Sequence, residues 1–345
     1  MSSFACVTAV DTNRTQMIRA ITYSRFGPAQ EVLELTNMAT PSPQPGEVLV
    51  RLHWSGVNPS DAKARAGARP GVTKPAYPVI VPHSDGSGVI EAIGDGVAAS
   101  RIGQRVWIWN GQWQRPFGTA AEMIALPSDQ AVAMPDDIDL QIGATLGIPG
   151  LTAAHCVFGD GTVSGQTLLI SGGAGAVGHN AVQLAKWGGA KVIATASKTS
   201  VDRVCAAGAD HCFDYADPDL ASKILKASGG GINRAVEVEF GVNAALLGEV
   251  MSENSTIAAY GSGQEMAPVL PFGPYLFKAI RINIVLIYIL LQNQRTAAIE
   301  RLHAALGQGA LAPAIHGTYP LKDCAKAHDA VMAGNRRGAI LLDTR

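Results

Sequence analysis

Gly173-Ala-Gly-Ala-Val-Gly178 sets three glycines at the spacing G-x-G-x-x-G. That spacing can seat a pyrophosphate when a strand enters the turn and a helix leaves it. Gly173 can make the tight turn, Gly175 has no Cβ to keep a phosphate off the backbone, and Gly178 lets the helix pack close to the strand. Ala176 and Val177 then open a helix whose free N–H groups and positive dipole end face the phosphates. An acid at the end of the next strand would accept from a ribose 2′-hydroxyl and favour NAD. The chain has Thr195-Ala-Ser-Lys198 there, without an acid. Ser197 and Lys198 can instead meet a 2′-phosphate by hydrogen bond and charge, so the expected cofactor is NADP(H). Asp202, a turn further on, weakens that preference without reversing it.

These groups need a frame. Residues 167–171 form a short apolar run bounded by glycine, which reads as a buried strand. Further strands are expected at 191–195, 211–214, 234–239, 256–259 and 282–286, with helices between them. Six strands alternating with helices predict a doubly wound parallel sheet of order 3-2-1-4-5-6. Before it, the chain reads as short strands punctuated by Gly and Pro: 17–23, 47–55, 88–93, 105–109 and 120–126. That pattern predicts a β-rich domain. Residues 142–157 read as a helix bent at Pro149 and Gly150, and 295–306 as another, with a last strand at 339–343.

The chain has 345 residues, which suggests two domains, and 47% of them are hydrophobic. Net charge is −1 with scattered Lys and Arg, so no footprint for nucleic acid is expected. The five cysteines form no C-x-x-C pair, which suggests reduced thiols and a cytoplasmic protein. Residues 4–10 lack the basic start of a signal peptide. The apolar run 284–291 is too short to span a bilayer. Trp107 and Trp109 share one face of a strand and are expected in the core, whereas Trp113 lies beyond on a loop and is the better candidate to line a pocket.

Several segments, in order, carry a resemblance to a known family. They are "SGVNPSDAKARAG" at 55–67, "SDGSGVIEAIGDGV" at 84–97, "GIPGLTAAH" at 147–155 and "SGGAGAVG" at 171–178, followed by "AGADHCFDY" at 207–215 and "YPLKDCAKAHDAVMAG" at 319–334. Over 17–345 the chain resembles the medium-chain dehydrogenase/reductase superfamily, in its zinc-free quinone oxidoreductase branch, which includes zeta-crystallin. The resemblance implies a GroES-like β-rich catalytic domain at 17–145 and 288–345, a Rossmann domain at 146–287, a cleft between them, and a dimer. Residues 1–16 are then an extension expected to be poorly ordered.

Zinc alcohol dehydrogenases resemble this chain but place Cys, His and Cys where it has Asn58, Ser84 and Ile148. None of these is a usual zinc ligand. The resemblance therefore implies no metal in the site and an activity of NADPH-dependent reduction of quinones or other conjugated carbonyl compounds by direct hydride transfer. Two alternatives are an enoyl-thioester or alkenal reductase of the same branch and an NADPH-gated binding protein without catalysis. Asn58 is implied at the reacting centre. Lys63 stands where the family commonly has Tyr, and either donates to a carbonyl oxygen or is solvated at the cleft mouth. His83 is either a pocket residue or a hydrogen-bonded structural histidine. Thr152, Tyr215, Gly261, Ser262 and Arg336 are implied as cofactor contacts, while the run 289–291 either extends the dimer contact or walls the substrate pocket through Tyr288. The strand at 281–288 should form the edge of the parallel sheet and pair with its copy in a homodimer.

Overall fold

Residues 17–20 alternate exposed and buried, because one face packs inward and the other meets water. The computed structural model describes residues 16–68, 71–334 and 336–345. The expected disorder of the 1–16 extension thus falls, apart from Gln16, outside the described residues. Among the described residues, seven strands precede the one that enters the glycine turn: β1 (Met17–Thr22), β2 (Glu34–Ala39), β3 (Glu47–Val57), β4 (Asp85–Ile93), β5 (Arg105–Ile108), β6 (Met123–Pro127) and β7 (Ala131–Ala133). β1 and β2 pair as an antiparallel ribbon. β2 was not expected, because its sequence shows no clean apolar alternation. β4 starts at Asp85 rather than at residue 88. Gly86, outside the expected strand, and Gly88, its expected first residue, both lie inside it, and at Gly88 the β3 backbone comes very close. A Cβ on Gly88 would sit 2.0 Å from the Arg51 carbonyl oxygen.

The second sheet holds β8 (Thr167–Ile170), β9 (Lys191–Ala196), β10 (His211–Asp214), β11 (Ile232–Glu237), β12 (Met251–Ala259) and β13 (Arg281–Ile284). Its order is β10-β9-β8-β11-β12-β13 and every pair is parallel. This is the expected doubly wound order. Leu168, Leu169 and Ile170 are buried, as a central strand covered on both faces requires. The chain then returns to the first sheet through β14 (Ile315–Pro320) and β15 (Ala339–Asp343), giving the order β14-β15-β3-β4-β5-β7 with β6 also on β3.

Two departures from expectation matter for the site. The sixth strand was expected over 281–288 but stops at Ile284. The Val285 amide makes one more bond to the Ala259 carbonyl, and then the chain turns inward, burying Val285 and Ile287. A short 3-10 turn, Ile287–Ile289, follows. The helix expected over 142–157 is three pieces: Leu140–Gly143, a π turn Leu146–Gly150, and Leu151–Phe158. Pro149 has no N–H to donate and crowds the preceding turn, so the wider π turn accommodates it. This bulge carries Ile148 and Thr152 toward the other sheet. No helix among the described residues is long and apolar enough to cross a membrane.

Candidate active site

Gly172, not Gly173, has the left-handed backbone of the tight turn, at φ 67°. Gly173 instead packs against Val204 and Ala194, and its amide donates to the Thr195 carbonyl. The missed signal is the doubled glycine Gly172-Gly173. Gly175 caps the helix Ala176–Trp187, and the nearest atom to a Cβ built on it is 3.4 Å away, so its outer face is open. Gly178 is the close-packing glycine: a Cβ there would lie 2.2 Å from the Gly172 carbonyl oxygen. Gly172, Gly175, Ala176 and Val177 line a cleft of about 390 Å³, whereas Gly173 and Gly178 support it from behind. The open turn at a helix N-terminus fits a dinucleotide pyrophosphate.

Across the cleft, Asn58 caps the helix Pro59–Ala66. Its backbone N–H donates to Asp61 Oδ2 at 2.7 Å, and Pro59 at the first helical position needs no acceptor. Its side-chain Nδ2 donates to Asp85 Oδ2 at 2.8 Å. The other oxygen of Asp85 accepts the Ile148 N–H, also at 2.8 Å. Asp85 is fully buried, and that burial pushes its carboxyl well above the usual range, against the pull of the Ile148 and Asn58 hydrogen bonds. Two of the three positions that the resemblance aligns with zinc ligands, Asn58 and Ile148, are thus tied together by one buried carboxyl. Sequence reading did not single out Asp85, because its role depends on partners 27 and 63 residues away.

The substrate side is built by the inward turn after β13. Tyr288 lines the cleft, and its hydroxyl donates to Ser60 Oγ at 3.0 Å. Burial raises the Tyr288 hydroxyl, which therefore stays protonated. Trp113 stacks on this ring with centroids 4.5 Å apart, but it borders a neighbouring cavity rather than the cleft. Trp107 is buried and donates to His303, and Trp109 packs under Arg295. Lys63 is exposed at the cleft mouth. His83 does not line the cleft; it is fully buried between Ser55 and His328. The hydrogen-bonded reading of His83 fits this placement, and the pocket reading does not.

Thr152, Gly261, Ser262 and Arg336 also line the cleft. Ser262 Oγ accepts from the Gly241 amide and donates to the Glu265 carbonyl, so it shapes its loop before it meets any ligand. Glu239 accepts from the amides of Gly263 and Gln264, and Tyr260 faces the same space; neither was picked out in advance. Ser197, Lys198 and Tyr215 lie outside the cleft proper, at the ends of β9 and β10, where the Tyr215 amide donates to the Ala196 carbonyl. Arg203 was missed. It donates to the Ala174 carbonyl in the glycine turn and to the Arg337 carbonyl, adding a cation beside the phosphate end. A larger cavity of about 550 Å³ lies under β1 and β2, among Met38, Phe117 and Met123. It contains none of the groups above, so the smaller cleft is the candidate site.

Residues 44–136 match the family of alcohol dehydrogenase GroES-like domains, and residues 176–304 match the zinc-binding dehydrogenase family. The chain is 30% identical over 336 residues to the quinone oxidoreductase of Rattus norvegicus, an alignment covering 95% of this chain and 98% of the rat protein. It is 32% identical over 219 residues to the trans-enoyl reductase traG of Penicillium crustosum, covering 58% of each. The solved quinone oxidoreductase of Pseudomonas syringae pv. Tomato DC3000 superposes with a TM-score of 0.82 at 27% identity, covering 94% of this chain and 99% of that one.

Proposed function

The chain belongs to the quinone oxidoreductase branch of the medium-chain dehydrogenase/reductase superfamily, and from that premise we propose that it reduces quinones or other conjugated carbonyl compounds with NADPH, without zinc at the reacting centre. It is an oxidoreductase of small molecules that uses a nicotinamide cofactor. The observation that carries the finer reading is the Asp85 bridge. Asn58, Ser84 and Ile148 offer neither thiolate nor imidazole, and both oxygens of Asp85 already accept hydrogen bonds. These residues do not fit a catalytic zinc, which takes Cys, His or carboxylate ligands. A substrate that needs no Lewis acid follows, and a conjugated carbonyl is such a substrate.

When bound, the nicotinamide supplies the hydride. The protein's part is to hold and to orient. Gly172, Gly175 and the start of the helix Ala176–Trp187 receive the pyrophosphate. Ser197, Lys198 and Tyr215, with Arg203 beside them, meet the 2′-phosphate. Asn58, fixed by Asp85, sets an amide at the domain junction. Tyr288 gives a flat wall, stiffened by Trp113, against which a conjugated ring can stack. Lys63 at the mouth donates a hydrogen bond to the substrate oxygen as charge builds there. The division of the chain at 17–145 with 288–345 and at 146–287 follows this two-sided cleft.

The test is steady-state NADPH oxidation against quinones, alkenals and acyl thioesters, since the trans-enoyl reductase relative makes the last two the natural rivals. Quinone turnover is expected to exceed the others. Tight NADPH binding without turnover on any of them would favour the binding-protein reading.

We also propose a homodimer through the edge of β13. Among the described residues only β12 pairs with it; Ile284 (71% exposed) lies on that edge, and Leu286 (47%) and Ile289 (63%) are exposed just past its end. An uncovered apolar edge invites a second strand, and a two-fold axis satisfies both edges at once. Light scattering at micromolar concentration should give twice the chain mass. Ile284→Lys, harmless on an isolated exposed edge, should give the single chain mass. A wild-type protein that stays at the single chain mass on concentration rules the dimer out.

A further inference from the structure

Three metal-ligating side chains meet in the interior, away from the cleft. His83 precedes β4, and Cys324 and His328 lie four residues apart on one face of the helix Cys324–Met332. His83 Nε2 is 2.9 Å from His328 Nε2 and 3.9 Å from Cys324 Sγ. The three ligand atoms all lie within 4.8 Å of one another. All three residues are buried, and none lines the cleft.

The hydrogen bonds behind His83 fix its tautomer. Thr119 Oγ1 donates to the Asp85 carbonyl, which can only accept. Thr119 Oγ1 therefore accepts from Ser55 Oγ, at 2.8 Å, and Ser55 Oγ accepts from His83 Nδ1, at 2.9 Å. The proton of His83 sits on Nδ1, and Nε2 presents a bare lone pair to His328 and Cys324. A ligating histidine is held in this way, its other nitrogen donating to an outer partner.

Protein atoms alone satisfy this cluster poorly. One lone pair on His83 faces both the His328 N–H and the Cys324 S–H. His328 Nδ1 is buried and has no hydrogen-bond partner. His83 also holds a left-handed backbone, φ 79°, which few residues other than glycine adopt readily. Strained, half-satisfied polar clusters persist where something else depends on them. Burial and Asp61 hold the thiol proton on Cys324, and Arg65 opposes them.

We propose that His83, Cys324 and His328 form a trigonal site for one soft d¹⁰ cation, best matched by Cu(I). Thiolate with two imidazoles suits a soft ion. Cu(I) with one thiolate is neutral, whereas a divalent ion would leave a net charge in a fully buried place. On binding, the Cys324 proton leaves to solvent as the Cu–S bond forms. The His328 proton moves from Nε2 to Nδ1, and no electron is transferred. The site is independent of the reductase reading.

The test uses the full chain produced in copper-supplemented medium and purified anaerobically under reducing conditions. About one copper per chain should resist an excess of bicinchoninate, and X-ray absorption should show one sulfur and two nitrogens around it. Cys324→Ser and His328→Gln should each weaken retention by about a hundredfold, judged against the loss that even outer-shell changes cause. A Cys205→Ser, Cys212→Ser double variant should retain the copper. Absence of retained copper, or retention that follows Cys205 and Cys212, overturns the proposal. Should either ligand variant fail to fold, the wild-type absorption spectrum decides alone, and an all-sulfur shell overturns the proposal.

Discussion

Gly178→Ala is expected to cost both fold stability and cofactor binding. Its new Cβ would stand 2.2 Å from the Gly172 carbonyl oxygen, 2.8 Å from the carbonyl carbon and 2.9 Å from Gly173 Cα. All three are backbone atoms, so no side chain can swing aside. The helix Ala176–Trp187 must move off the turn, and overpacking of this kind costs about 1–3 kcal/mol. The same displacement pulls the helix N-terminus from the phosphates, and a loss of that size weakens binding about 10- to 100-fold. Thermal denaturation and an NADPH titration measure the two effects. Gly175→Ala is the control. Its Cβ meets nothing closer than 3.4 Å within the protein, so it should leave the melting temperature in place and weaken only the cofactor. If Gly178→Ala melts and binds like the wild type, the turn does not pack as described.

Asp85→Ala should have the second large effect. It removes the acceptor of the buried Asn58 amide and of the part-buried Ile148 N–H. A buried donor left without a partner costs about 1–3 kcal/mol. Asn58 loses its anchor in the proposed reacting centre, so kcat should fall about tenfold or more, in line with 1.4 kcal/mol per decade. The affinity for NADPH should change little, because the pyrophosphate turn does not touch Asp85. Asp85→Asn keeps one acceptor oxygen and should fall between the two. A variant with wild-type kcat would remove Asp85 and Asn58 from the account together.

What was legible in the sequence was what is local. The glycine turn, the six parallel strands and the last strand at 339–343 each show in a short window, because apolar runs and glycine spacing are local signals. The glycines that mislead are those whose reason is distant. The strand expected from residue 88 starts at Asp85, with Gly86 packed against the Thr119 and Leu52 side chains and Gly88 where the β3 backbone crosses. Edge behaviour also misled. Residues 285–288 are as apolar as the strand before them, but Val285 and Ile287 turn inward to shape the cleft. The pairings that sequence could not show share one property. Asp85, Arg203 and the His83–His328 pair get their partners only from the folded chain, the last across 245 residues. A resemblance can place Asn58 in a site, but only the fold shows what holds it there.

The most direct measurement is quinone reduction by protein treated with chelator and shown to be free of zinc, assayed with NADPH and with NADH. The account predicts that turnover is unchanged by the treatment and that kcat/KM is higher with NADPH. It also predicts that Lys198→Ala narrows the gap between the cofactors. Loss of activity on zinc removal with recovery on its return, or a preference for NADH, would contradict it.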